Sequence, residues 1–175
     1  MTAARWVAAL LGALGLAAPA GAQDFPKQDF PSLRGERLAD VRVDVRPLVA
    51  LGAGAQAEAL RADLTTALRS RFGDRIGGRA LSLVVLIRGF SLRPYAGGES
   101  GGGRSGLSGG TQNDYLDGEA LLVARDGAVL GRHPQLTATP ASLGGAWYDP
   151  ASERRRVTAI ADIYAAWLRR NLPVD

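Results

Sequence analysis

A chain of 175 residues with 46% hydrophobic residues is long enough to bury one sizeable core and too short for two ordinary domains. It contains no cysteine, which excludes disulfides, thiol catalysis and thiolate metal sites. Its 21 basic and 17 acidic residues give a net charge of +4, and every basic residue except Lys27 is arginine. That mild excess follows from a biased composition as readily as from a need to bind anions.

The N-terminus has the three parts of a secretory signal: Arg5, an apolar run from Trp6 to Ala18, and small residues at Ala20 and Ala22. Residues 1–22 are therefore expected to be a signal peptide cleaved before Gln23. The run is shorter than the roughly 18 to 20 residues a membrane span needs, so no stable transmembrane segment is expected after cleavage. Gln23 stands where a lipoprotein would carry cysteine, and Arg5 has no twin-arginine neighbour. A soluble periplasmic or secreted product is the expected outcome.

Residues 23–37 read as an extended leader with Phe25 and Phe30 as isolated anchors, followed by a single domain over 38–175. From Leu38 to Leu48 the chain alternates, with Val41, Val43 and Val45 on one face and Arg42, Asp44 and Arg46 on the other, which predicts a strand ended by Pro47. Ala57, Leu60, Leu64, Leu68 and Phe72 recur at helical spacing and predict an amphipathic helix closed by a left-handed cap at Gly73. Ala80 to Leu92 is apolar enough to predict a central strand covered on both faces, with a bulge at Gly89. Residues 97–110 are dominated by glycine and read as a flexible loop. Tyr115 to Ala124 predicts a strand, and Arg125-Asp126-Gly127 a hairpin turn into a partner from Ala128 to Arg132, with a further short strand at Leu136 to Thr139. Asp149 and Pro150 open a last helix, whose stripe is Val157, Ile160, Ala161, Tyr164, Trp167, Leu168 and Leu172. The order β-α-β-loop-β-β-α predicts an α+β fold, a small mixed sheet of four or five strands with two helices on one face. No internal repeat or coiled-coil heptad is read.

Gly101, Gly103 and Gly106 match a dinucleotide-binding pattern, but no helix pattern opens after them, so no cofactor is expected. His133, the single histidine, reads as a solvent-facing loop residue, and no serine lies in a nucleophile elbow. Asp117 and Glu119 share one strand face and could serve hydrolysis, although the same pattern describes a solvated face. No metal site is expected. The run Arg154, Arg155 and Arg156 sits in the first turn of the last helix, where the dipole disfavours cations, and Trp147 and Tyr148 precede it in a Gly-rich turn. Broken local rules and aromatics of this kind mark binding sites, so Tyr95, Arg104, Trp147, Tyr148 and Arg154 to Arg156 are the candidate partner-binding residues.

The alternating strand of Val41, Val43 and Val45, the Ala/Leu helix, the central apolar strand, Asn113-Asp114-Tyr115-Leu116-Asp117-Gly118-Glu119, Asp126-Gly127-Ala128-Val129-Leu130, Leu143-Gly144-Gly145-Ala146 and the closing helix together resemble small secreted or lipoprotein α+β domains of proteobacterial envelopes. They look distantly like the N-terminal part of the Tol-system propeller protein, the curli-secretion lipoprotein and the peptidoglycan-synthase activator lipoproteins. The resemblance implies a binding module without catalytic residues. The expected function is a non-enzymatic periplasmic binding or envelope-assembly accessory domain; the alternatives are a hydrolase using Asp117 or Glu119, and a structural envelope subunit. The expected partner is an envelope protein or an anionic envelope component such as peptidoglycan or lipid phosphate, and not nucleic acid.

Overall fold

The computed structural model describes residues 30–94 and 112–174. The first strand, β1 (Leu38–Asp44), is followed by a short helix α1 (Arg46–Ala50) and a long one, α2 (Gly54–Arg71). Then come β2 (Leu81–Ser91), β3 (Asn113–Ala124), β4 (Val129–Pro140) and the closing helix α3 (Ser152–Asn171). The strands form one sheet in the order β1-β2-β3-β4, with β1 parallel to β2 and the other two pairs antiparallel. The fold is α+β with a four-stranded mixed sheet, as its sequence pattern predicts.

Strand parity decides which residues form the core. Leu81, Leu83, Val85 and Ile87 of β2 and Leu116, Ala120 and Leu122 of β3 are buried under the helices. They meet Leu60, Leu64 and Leu68 of α2 and Ile160, Tyr164 and Leu168 of α3, all fully buried. Each such leucine contributes roughly 1.5–3 kcal/mol by leaving water. The opposite parity, Ser82, Val84 and Leu86 on β2 and Leu121 and Val123 on β3, is only half-buried. β2 is thus central in the sheet but covered on one face rather than two. Its apolar content extends beyond the core onto the open face. The bulge expected at Gly89 is present, with the register slipping between Ile87 and Gly89.

Several boundaries differ from the sequence expectation. β1 ends at Asp44, and Pro47 lies in the first turn of α1 instead of merely ending a strand, because that turn needs no N–H from it. Val41 and Val45 are buried whereas Val43 is half-buried, and a register slip between Leu38 and Asp40 changes the parity ahead of them, so that Leu38 is buried on the same side as Val41. Gly73 has no left-handed backbone; it opens a 3-10 turn, Gly73–Arg75, and the positive φ of 121° falls at Gly77. The hairpin at Asp126-Gly127 forms, but its partner is one continuous strand, with no break before Leu136. Pro134 is tolerated there because only odd-numbered β4 residues bond to β3, so its missing N–H lies on the free edge. Trp167 is 37% exposed at the flank of the α3 stripe, and Ala165 is buried in its stead.

Candidate functional site

The run of three arginines divides into three fates within one helical turn. Arg156 is 3% exposed. Its Nε donates to Asp114 Oδ2 at 2.7 Å, and its Nη2 donates to Asp114 Oδ1 and, at 2.6 Å, to the carbonyl of Arg93. Asp114 is fully buried and also accepts the backbone N–H of Arg93 at 3.0 Å. This ion pair therefore ties the end of β2, the start of β3 and the first turns of α3 together. Hydrogen bonding to Asp114 raises the Arg156 pKa further, so the cation is permanent.

Arg154 points the other way and forks onto Asp63 of α2, with Nη2 donating to Oδ1 at 2.5 Å. That hydrogen bond is the main reason the Asp63 carboxyl lies below its ordinary value of 3.8. Arg155 lies between them. Its Nε donates to the Gly144 carbonyl at 2.8 Å and its Nη2 to Asp149 Oδ2 at 2.8 Å. Gly144 and Asp149 bracket the turn that carries Trp147 and Tyr148, so Arg155 fixes both ends of that turn. Asp149 also accepts the Ala151 N–H at 2.8 Å, which caps the chain ahead of α3; the helix itself starts at Ser152, later than Pro150 would place it. The backbone bond to Ala151, followed by Arg155, lowers the Asp149 pKa.

On that clamped turn Trp147 and Tyr148 are 55% and 75% exposed and pack edge to face, with centroids 5.8 Å apart. They do not staple the helix onto the sheet. They line one side of a groove of about 400 Å³ whose other walls include Arg93, Pro94, Glu153 and Arg156. Arg93 was not among the sequence candidates. Its backbone is held on both sides by the Asp114–Arg156 pair, and among the described residues its guanidinium has no acidic partner. Nothing in the sequence around Arg93 signals this, because the residues that hold it come from β3 and α3.

A second groove, about 750 Å³, runs along the free edge of β1 past Arg42, Val43, Asp44, Arg46, Val49 and Val84. It is larger, but its charges are already spent: Arg42 pairs with Asp40, Arg46 with Asp44 and Arg61 with Glu58. The first groove joins exposed aromatics to a cation with no acidic partner among the described residues, the composition that carries binding energy at protein interfaces.

Asp117 and Glu119 do share a face, the open one, and each is paired, Asp117 with Arg88 at 2.9 Å and Glu119 with Arg132 at 3.3 Å. His133 is half-buried within β4 opposite Ala120 rather than in a loop. No group of three or more His, Asp or Glu able to hold a metal occurs among the described residues. Tyr95, Arg104, the glycine triplet Gly101, Gly103 and Gly106, the loop 97–110 and the signal peptide 1–22 lie outside the described residues. No described helix is long and apolar enough to cross a membrane.

No family model and no curated protein matches the chain. Among solved structures, the PelC dodecamer from Paraburkholderia phytofirmans is 11% identical with a TM-score of 0.44, covering 83% of this chain and 95% of that one. An uncharacterized protein of known structure is 17% identical with a TM-score of 0.44, covering 81% and 94%. A minor lipoprotein from Acinetobacter baumannii is 13% identical with a TM-score of 0.38, covering 75% and 90%. Superposition at this level carries no functional argument.

Proposed function

We propose that this chain is a non-catalytic binding module of the bacterial cell envelope, exported to the periplasm, that engages a protein partner through the Trp147-Tyr148 turn and the groove beside it. The observation that carries the reading is the pairing of exposure with rigidity. Two large aromatics are held out to solvent on a turn that Arg155 clamps at both ends. Ordering a side chain on binding costs roughly 0.5–1.5 kcal/mol, and a turn fixed beforehand avoids part of that cost.

A protein fits this site better than an anionic polymer. Arg154, Arg155 and Arg156 are each committed to acids of the chain itself, so the basic run offers little to phosphate or to peptidoglycan carboxylates. Arg93 remains for a single acidic contact beside the aromatics. A hydrolase reading lacks support, because Asp117 and Glu119 stand on the open sheet face, each engaged by an arginine.

Position-specific crosslinking in the producing cell tests the proposal. A photoreactive phenylalanine derivative is placed at Trp147, at Tyr148, or at Leu130, an exposed residue at the opposite end of the sheet. A discrete protein adduct from 147 and 148 and none from 130 is the expected result. Adducts of equal yield from all three positions, or from none, would overturn the reading.

A further inference from the structure

The segment ahead of β1 contains a short tandem repeat that a search for longer periods passes over. Gln23-Asp24-Phe25-Pro26 and Gln28-Asp29-Phe30-Pro31 are the same four residues, five positions apart. The end of the second copy is described, and it is seated. Phe30 is 9% exposed and belongs to the core cluster with Leu33, Leu172 and Val174. Phe30 and Pro31 cross β4 at Gly131, where a Cβ would collide with Pro31 Cδ and lie 3.3 Å from Phe30 Cα. Gly131 is therefore a notch in the strand that any side chain would fill. Beyond it, the Leu33 N–H donates to the Pro173 carbonyl at 3.3 Å and the Leu33 carbonyl accepts from Glu36 N–H at 2.8 Å. The positive φ of Arg34 (43°) and Gly35 (87°) then turns the chain tightly into β1.

We propose that this notch is a recognition site for a Phe-Pro pair rather than for one particular residue, and that Phe25-Pro26 is its second occupant, entering when the second copy leaves. The ring and the pyrrolidine that the notch receives are both present in the first copy, in the same order and after the same Gln-Asp. The copies diverge after the proline, where Phe30-Pro31 is followed by Ser32 and Leu33 and Phe25-Pro26 by Lys27 and Gln28. Leu33 is 3% exposed, and exchanging it for an unburied glutamine disfavours the first copy by on the order of ten- to a hundredfold. The five extra residues left between the seat and Arg34 add little, because loop-closure entropy grows slowly with length. The second copy accordingly holds the seat in the folded chain.

Urea unfolding of the full chain, with Phe25→Ala, Phe30→Ala and both together, tests the proposal. Phe25→Ala alone is expected to leave the midpoint unchanged. Phe30→Ala is expected to raise the unfolded-to-folded ratio by on the order of ten- to a hundredfold, the cost of seating the first copy, and the double variant by on the order of several hundred- to several thousandfold, the range for truncating a buried phenylalanine. Coincident midpoints for Phe30→Ala and the double variant would overturn it. A second measurement does not depend on the double variant folding. With 4-fluorophenylalanine at the four phenylalanines, the Phe25 resonance is expected to move toward the wild-type Phe30 position when Phe30 becomes alanine. A Phe25 resonance that stays where it is in wild type would equally overturn the proposal.

Discussion

Asp114 and Asp117 lie three residues apart on β3 and each pairs with an arginine, yet opposite strand parity gives them different work. Asp114 faces the helices, is fully buried, and bonds both to Arg156 and to the Arg93 backbone. Asp117 faces the open side, where it and Arg88 are each more than 40% exposed. In water the Coulomb gain of a pair is small and largely offset by ordering two side chains. In the interior a charge stripped of its partner has nothing to replace it. The same residue types thus make a structural tie on one face and a surface contact on the other.

The sharpest way to break this comparison is to remove one partner of each pair. Asp114→Ala is expected to cost about 3–5 kcal/mol in urea unfolding, because Arg156 is left buried and uncompensated. Exchanging both members, Asp114→Leu with Arg156→Met, is expected to recover much of that loss. If Asp114→Ala costs under about 1 kcal/mol, the buried pair is not the tie described here.

Tyr164 offers an intermediate case on the helix face. Its hydroxyl is buried without a hydrogen-bond partner among the described residues and lies 2.7 Å from where a Cβ of Gly118 would be. Burial, with a smaller contribution from Asp117, raises its pKa well above the ordinary value of 10.0. Tyr164→Phe removes a polar group that gains nothing in the folded state, so stabilisation by about 1 kcal/mol is expected. A loss of similar size would mean that the hydroxyl is satisfied in solution.

Smaller effects come from the exposed pairs. The folded-state pKa of Asp63 is depressed, so its contribution is present above 3.8, the ordinary value, and is lost as pH falls through the lower folded value. The unfolding midpoint of Asp63→Asn is therefore expected to fall less steeply than that of wild type below about pH 4, with the two curves parallel above about pH 5. Identical slopes below pH 4 would show that the Arg154 contact is not formed in solution. Last, Asp117→Ala is expected to change stability by no more than about 0.5 kcal/mol. A cost matching that of Asp114→Ala would erase the contrast between the two faces.

Periodicity made much of this fold legible. The alternation around Val41 and the i, i+3, i+4 stripes of α2 and α3 follow from which side chains must leave water, and that is a local property of the sequence. The failures share a different cause. Trp167 follows Tyr164 by three residues, which turns it roughly 60° back around the helix to the flank of the stripe, where spacing alone does not separate core from rim. Pro134 looks like a break in β4 until the pairing shows which edge its nitrogen faces. The arginine run reads as a patch because its acids are distant, Asp63 by 91 residues from Arg154 and Asp114 by 42 from Arg156. Of the candidate site, Trp147 and Tyr148 were legible as aromatics in a turn. Arg93 was not, since only the fold brings it beside them.

The central claim, that a pre-clamped aromatic turn binds a protein partner, is tested most directly by an affinity measurement. With the partner identified by crosslinking and purified, its dissociation constant is compared for wild type and for Trp147→Ala/Tyr148→Ala. Loss of two interface anchors at about 2 kcal/mol each predicts weakening by at least about a hundredfold. The urea midpoint should not change, because both rings are exposed in the free protein. Weakening of less than about threefold with folding intact would contradict the account.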